Sequence, residues 1–223
     1  MYLAEDLTLG RQVAIKRVRG GDAEDRARLE REARQLAKVS HPNVVTLFDA
    51  GVDEDGVFVV MEYLRGTTLS RHVGKPEVPL AQRLGWLDAL AAGLDAVHRA
   101  GLVHRDVKPA NVMVTDGGVV KLLDLGLARA PTSATQSITE TGVVVGTPRY
   151  MAPEQQLGTT LDPRTDQYGW GAVAFELLTG RPFGPSWRQE ASALLPAPAV
   201  TALERALAPT PDARHPTVAE AAR

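Results

Sequence analysis

The sequence predicts a two-lobed α+β fold, in which a small lobe of mostly antiparallel strands precedes a larger and mainly helical lobe. Residues 1–64 contain short runs of β-forming residues around a single helical stretch. Residues 65–223 are dominated instead by helical periodicity. The chain has 223 residues, of which 44% are hydrophobic and 23% are charged, so it can build a sizeable core as one domain of two lobes.

The small lobe is predicted to contain four strands and one helix. The helix is expected over residues 23–39, because Leu29, Ala33 and Leu36 recur on one face. A Gly-containing turn at residues 9–11 divides the first two strands. The strands are predicted within residues 1–18, at residues 44–47 and at residues 57–61, with an acidic turn at residues 53–56 before the last one.

The large lobe is predicted to begin with a long amphipathic helix, which leucines mark from Leu80 to Val97 and which ends near Gly101. Short apolar runs within residues 102–128 indicate hairpins, and residues 131–147 are a Ser/Thr-rich loop. The remaining segments are a buried helix at residues 165–179, an irregular Pro/Ala-rich stretch at 181–199, and short helices at 200–207 and 218–223.

Bulk composition excludes several classes of protein. The formal net charge of -2 argues against a nucleic-acid-binding protein that works through overall charge. The chain has no cysteine, so disulfides and thiolate chemistry are excluded. No apolar run is long enough to cross a bilayer, and no signal peptide opens the chain, so we expect a cytoplasmic domain. The sequence does not predict an oligomeric state.

Residues 104–111 concentrate the groups that phosphoryl transfer needs. Asp106 supplies a carboxylate that can orient a hydroxyl group and accept its proton, and Lys108 supplies a nearby cation. Asn111 and the later Asp124 are oxygen ligands of the kind that Mg²⁺ prefers. Apolar runs between them indicate a hairpin that would return Asp124 to the side of Asn111.

These segments resemble the catalytic loop and metal-binding motif of eukaryotic-type (Hanks-type) bacterial serine/threonine protein kinases. The resemblance continues at residues 13–16, at the hinge-like residues 61–64 and at the substrate-binding segment 146–154. It implies a protein kinase-like fold over residues 1–223, with ATP and Mg²⁺ as cofactors and proteins bearing serine or threonine as substrates.

Each catalytic role is implied by this resemblance. Asp106 would orient the substrate hydroxyl, Lys108 would neutralise charge on the γ-phosphate, and Asn111 and Asp124 would bind Mg²⁺. Lys16 would bind the α- and β-phosphates while paired with Glu32. The resemblance places five more residues at the nucleotide, namely Ala14, Met61, Glu62, Leu64 and Met113.

The substrate class and the control of activity are also implied. Lys108 together with Thr147 in the substrate segment is typical of serine/threonine kinases. Arg105 before the catalytic aspartate is typical of kinases in which a phosphorylated loop docks on that arginine. Thr139 and Thr141 are the candidate autophosphorylation sites.

Other residues of the motifs are expected to support the structure. The resemblance implies that the ring of His104 joins an apolar stack with Leu36, Leu47 and Leu125. By the resemblance, Asp166 would hold the catalytic loop and Glu154 would pair with Arg214.

The chain departs from the family at the glycine-rich loop over the phosphates and the strand before it, neither of which is present. A start recorded too late, a degraded copy and a weakly binding scaffold would each account for this, and we favour the first because the catalytic residues are intact. Residues 181–199 are also shorter than the family's segment, and Leu125 replaces the usual phenylalanine.

Two alternative functions remain open at this point. One is a catalytically silent, pseudokinase-like interaction module. The other is a small-molecule kinase, against which the peptide-binding segment 146–154 argues.

Overall fold

The computed structural model describes residues 1–18, 23–53, 56–124 and 149–223. The elements of the small lobe are β1 (Tyr2–Asp6), β2 (Arg11–Val18), α1 (Ala23–Leu36), β3 (Leu47–Asp53) and β4 (Gly56–Glu62). The strands form an antiparallel sheet in the order β1-β2-β4-β3, and α1 packs on it.

The apolar face predicted for α1 is confirmed. Leu29, Ala33 and Leu36 are all buried, and α1 contacts β3 and β4. Gly10 has a φ of +63° in the turn between β1 and β2, a conformation that glycine adopts without steric cost. The helix and the turn therefore form where the periodicity and the glycine predicted them.

The strand predicted at residues 44–47 is wrong, since β3 begins only at Leu47 and continues to Asp53. The amide of Val45 donates to Leu122 O at 2.9 Å, and Val44 forms an isolated parallel bridge with Leu122, so these two residues pair with the large lobe. Pairing with the other small-lobe strands begins only at Thr46, whose carbonyl accepts from the amide of Glu62. The side chains of Val44 and Val45 are buried, and their apolar character reflects that contact between lobes. Residues 54–55 of the predicted acidic turn lie outside the described residues.

The large lobe combines a small three-stranded sheet with helices. Its elements are β5 (Gly66–Thr68), α2 (Leu80–Arg99), β6 (Val112–Thr115), β7 (Val120–Leu122), α3 (Pro153–Gln156), α4 (Pro163–Thr179), α5 (Trp187–Leu194), α6 (Ala197–Ala206) and α7 (Val218–Ala221). The strand order is β5-β6-β7, and the predicted long helix and hairpin are confirmed as α2 and as β6-β7.

The core of the large lobe lies between α2 and α4. The later leucines of α2 are buried, but Leu80 and Leu84 are exposed, so the predicted apolar face begins later than the leucines suggested. Helix α4 packs closely against Val107, which lies within the predicted catalytic residues 104–111. A Cβ at Gly169 would lie 2.8 Å from Val107 Cβ, so the glycine allows a contact that a larger residue would prevent.

The prediction of an irregular stretch at residues 181–199 is wrong, because α5 and the start of α6 occupy much of it. The ring of Trp187 lies 6.3 Å from that of Phe175 and 6.0 Å from that of Phe183, measured between centroids. Trp187 and Ala191 are buried one helical turn apart. Tertiary burial of one helical face therefore outweighs the Pro/Ala/Ser composition.

Within the described ranges, no helix is long and apolar enough to span a membrane.

Candidate active site

Three predicted catalytic side chains form one hydrogen-bonded group. Lys108 Nζ lies 2.7 Å from Asp106 Oδ2, and Asn111 Nδ2 donates to the same oxygen at 2.8 Å. Asn111 also donates to the backbone carbonyl of Asp106 at 2.8 Å, which fixes the turn between them. The group therefore presents a carboxylate, an ammonium and an amide within a few ångströms of one another.

Asp166 of α4 holds the backbone of residues 104–105, which precede Asp106. The carboxylate of Asp166 accepts hydrogen bonds from the amides of His104 and Arg105, each at 2.7 Å. Arg105 has a φ of +65°, which is uncommon for a residue with a side chain and needs support from its surroundings. The buried Asp166 supplies that support through these contacts, which place it where the prediction expected it.

His104 is fully buried and acts as a structural link. Its Nε2 lies 2.7 Å from Leu123 O, while its Nδ1 accepts from the amide of Asp106 at 3.2 Å. Burial lowers the pKa of His104, and this bonding pattern fits the neutral ring with the proton on Nε2. Leu36 and Leu47 of the predicted stack are buried.

The β6-β7 hairpin brings Asp124 next to the catalytic segment, as predicted. The amide of Leu123 donates to Asn111 O at 2.8 Å. One carboxylate and one amide oxygen donor suit Mg²⁺, which keeps waters and substrate phosphates as its other ligands. No cluster of three or more His, Cys, Asp or Glu side chains that could hold a metal alone occurs in the part of the chain that the structure describes. The residues therefore fit a metal that is completed by a bound phosphate.

The predicted pairing of Lys16 with Glu32 is wrong for this structure. Lys16 Nζ lies 2.8 Å from Asp124 Oδ1, and Glu32 Oε1 lies 3.7 Å from an Arg105 guanidinium nitrogen. The Lys16–Asp124 pair therefore joins two side chains that were predicted to bind the phosphates and the metal. All four side chains are partly exposed, so an exchange of partners involves little desolvation.

A cleft of about 300 Å³ opens between the small lobe and the β6-β7 hairpin. Its volume is at the lower end of the range for small-molecule sites. Six residues predicted to bind the nucleotide or metal line it, namely Ala14, Met61, Glu62, Leu64, Met113 and Asp124. Met1, Tyr2 and Leu3 also line the cleft.

The substrate-side segment is anchored by the predicted Glu154–Arg214 pair. The two Arg214 nitrogens lie 2.6 and 2.8 Å from the two Glu154 oxygens, a bidentate geometry, and both residues are buried. Burial alone would raise the pKa of Glu154, but the hydrogen bonds from Arg214 hold that pKa below its ordinary value.

Three supporting residues were missed by sequence reasoning. His98 Nε2 lies 2.8 Å from Asp166 Oδ2, and Gln155 Nε2 donates to Arg105 O at 2.8 Å. Glu176 accepts from the Tyr150 hydroxyl at 2.8 Å, and burial with this carboxylate raises the pKa of Tyr150. The available signal for Glu176 was a charged residue inside the apolar run at residues 169–178 of α4.

Several predicted residues lie outside the described residues. These are Leu125 of the predicted stack, the candidate phosphorylation sites Thr139 and Thr141, and Thr147 of the substrate segment. Their predicted roles remain predictions.

Known proteins that are similar to this chain are protein kinases. The model of the protein kinase domain family matches residues 1–209. A probable serine/threonine-protein kinase of Streptomyces coelicolor is 45% identical over 194 residues, covering 82% of this chain and 28% of that protein. Serine/threonine-protein kinase PknB of Mycobacterium tuberculosis is 39% identical over 192 residues, covering 82% of this chain and 30% of PknB.

The crystal structure of the Mycobacterium tuberculosis PknI kinase domain is also similar. It aligns with a TM-score of 0.79 at 30% identity and covers 99% of this chain and 87% of that one. This chain spans less than a third of the length of the curated relatives it matches, at 28% and 30%. With the cleft and the Asp106 segment in place, these matches establish that the chain belongs to the protein kinase domain family, beside bacterial serine/threonine kinases.

Proposed function

We propose that this chain transfers the γ-phosphoryl group of ATP to serine or threonine hydroxyls of protein substrates. The observation that carries the proposal is the Asp106, Lys108 and Asn111 group, joined by contacts of 2.7 and 2.8 Å. The relatives are named serine/threonine-protein kinases, which supports the choice of acceptor.

Asp106 is the catalytic base in this proposal. Its carboxylate orients the substrate hydroxyl and takes the proton as the oxygen bonds to the γ-phosphorus. The bond from that phosphorus to the β,γ-bridging oxygen breaks, and ADP leaves with the electron pair. Lys108, 2.7 Å from Asp106 Oδ2, stabilises the negative charge on the transferred group.

Asn111 and Asp124 are the residues that would hold Mg²⁺. When bound there, the metal neutralises charge on the phosphates. Asp124 is paired with Lys16 in the structure, so nucleotide and metal binding require these two groups to separate. Lys16 then binds the α- and β-phosphates.

Phosphorylation is the proposed route to activation. A phosphate on Thr139 or Thr141 would compete with Glu32 for Arg105, whose guanidinium lies 3.7 Å from that carboxylate. Release of Glu32 would leave it available to Lys16.

The domain limits of the proposal are those expected from the sequence. The small lobe covers residues 1–64, and the large lobe covers residues 65–223 with its shortened segment at 181–199. A cytoplasmic location belongs to the same proposal.

The test is phosphorylation of casein by the purified chain with radiolabelled ATP and Mg²⁺. Asp106→Asn should lower the rate by roughly 10²–10⁴-fold, the usual contribution of a positioned base. Asp116→Asn is the matched control, because Asp116 lies exposed in the turn between β6 and β7, and it should leave the rate unchanged. Acid hydrolysis should recover the label on phosphoserine or phosphothreonine.

Equal rates for Asp106→Asn and the wild type would contradict the assigned base. A folded wild type that binds ATP but transfers no label would instead support the silent interaction module.

A further inference from the structure

An ion pair joins the two lobes beside the cleft. Lys121 Nζ of β7 lies 2.7 Å from Glu62 Oε1 at the end of β4. The two side chains are only 14% and 23% exposed, so the pair is partly shielded from water. The motifs of the kinase family assign Glu62 to the nucleotide but give no role to Lys121.

The same pair also holds the connection that follows α1. The amide of Thr46 donates to Glu62 Oε1 at 2.7 Å, and the amide of Glu62 donates to Thr46 O at 3.0 Å. Lys121 Nζ additionally lies 3.4 Å from Val44 O. We call Thr46, Glu62 and Lys121 the latch, because their contacts join the end of β4, the 43–46 connection and β7.

The hydrogen bonds of the latch keep the Glu62 carboxylate ionised. Partial burial would raise the pKa of Glu62, but hydrogen bonds from Lys121 and Thr46 hold it below its ordinary value. The carboxylate is therefore ionised at neutral pH, and its bonds with Lys121 and Thr46 are charge-assisted.

The latch joins two segments that contribute to the cleft lining. Residues 61–64 line the cleft, and so do Leu123 and Asp124, which directly follow β7. Lys121 itself does not line the cleft. A change at Lys121 therefore acts on a bound nucleotide only through the position of its neighbours.

We propose that Lys121 is a positioning residue for the nucleotide, because the latch fixes the backbone of residues 61–64 against β7. This inference rests on the proposed function for its consequence at ATP. The fixing of the backbone itself does not require ATP.

The experiment compares Lys121→Met with the wild type and with Lys121→Arg, which keeps the charge. Lys75→Met is the control for removal of an exposed lysine from the large lobe. Hydrogen exchange is measured first, without nucleotide. Amides of residues 44–46 and 61–64 should exchange faster in Lys121→Met, whereas amides of the buried α4 should not change.

ATP affinity is then measured by calorimetric titration, which needs no turnover. Lys121→Met should weaken it about five-fold, as for a charge-assisted contact that acts through a neighbour. In the phosphorylation assay the KM for ATP should rise similarly while kcat stays within about two-fold. Lys121→Arg should recover most of the loss, and Lys75→Met should match the wild type.

Unchanged hydrogen exchange in Lys121→Met would overturn the latch. Faster exchange with unchanged ATP affinity would overturn its positioning role. Faster exchange in a protein whose wild type binds no ATP would overturn the proposed function and, with it, the role of Lys121 at the nucleotide, while supporting the latch as a backbone clamp.

Discussion

The Glu154–Arg214 pair of the large lobe and the Lys16–Asp124 pair of the cleft each join a carboxylate to a cation, but they differ in burial. Arg214 and Glu154 are 0% and 6% exposed at their side chains and make a bidentate contact. Lys16 and Asp124 are 24% and 27% exposed, and a single contact of 2.8 Å joins them.

This difference explains why the structure contains the predicted Glu154–Arg214 contact but not the predicted Lys16–Glu32 contact. A buried charge needs a partner, because leaving it unpaired costs several kcal/mol, so Glu154 and Arg214 have one satisfactory arrangement. Partly hydrated charges can change partners at little cost, and Glu32 is near Arg105 rather than Lys16. Family motifs therefore predict buried pairs more reliably than pairs that must open for a ligand.

Removing Arg214 should have the largest effect on stability. Arg214→Met leaves the Glu154 carboxylate buried without its bidentate partner and should lower the free energy of unfolding by about 3–5 kcal/mol. Urea unfolding at pH 7 measures the loss. Arg34→Met is the control, since Arg34 pairs with Glu30 on the exposed side of α1 and should cost less than about 0.5 kcal/mol. A similar loss in both variants would remove the distinction between buried and exposed pairs.

His104 should give a smaller effect that depends on pH. The folded protein holds the pKa of His104 below its ordinary value, so below about pH 6.5 the unfolded state binds more protons. The free energy of unfolding should therefore fall as the pH falls from about 6.5 towards the folded pKa, by at most about 1.4 kcal/mol per pH unit.

Replacing His104 by phenylalanine tests this assignment. The variant loses hydrogen bonds and should be less stable at pH 7 by about 1–2 kcal/mol, but its stability should depend less steeply on pH. Urea unfolding of both proteins between pH 7 and pH 5 compares the slopes. Equal slopes would mean that another group causes the acid sensitivity.

The sequence predicted the two lobes, most of the elements and the Asp106 group, because these follow from local periodicity and from motif order. It did not predict α5, which depends on the burial of Trp187 against distant aromatic rings. It also missed the contact of His98 with Asp166, because a single polar residue in a helix does not identify a partner 68 positions away. Both of these features depend on tertiary contacts between residues that are distant in the sequence.

The most direct test of the account is the effect of Mg²⁺ on ATP affinity in Asp124→Asn, measured by calorimetric titration. Asp124 belongs to the partly exposed ion pair with Lys16. The free energy of unfolding of the variant should therefore lie within about 1 kcal/mol of that of the wild type. Mg²⁺ should strengthen ATP binding to the wild type and have little effect on the variant, because a metal ligand is lost. An undiminished effect of Mg²⁺ in Asp124→Asn would contradict the assignment of the cleft as the site of metal-assisted phosphoryl transfer.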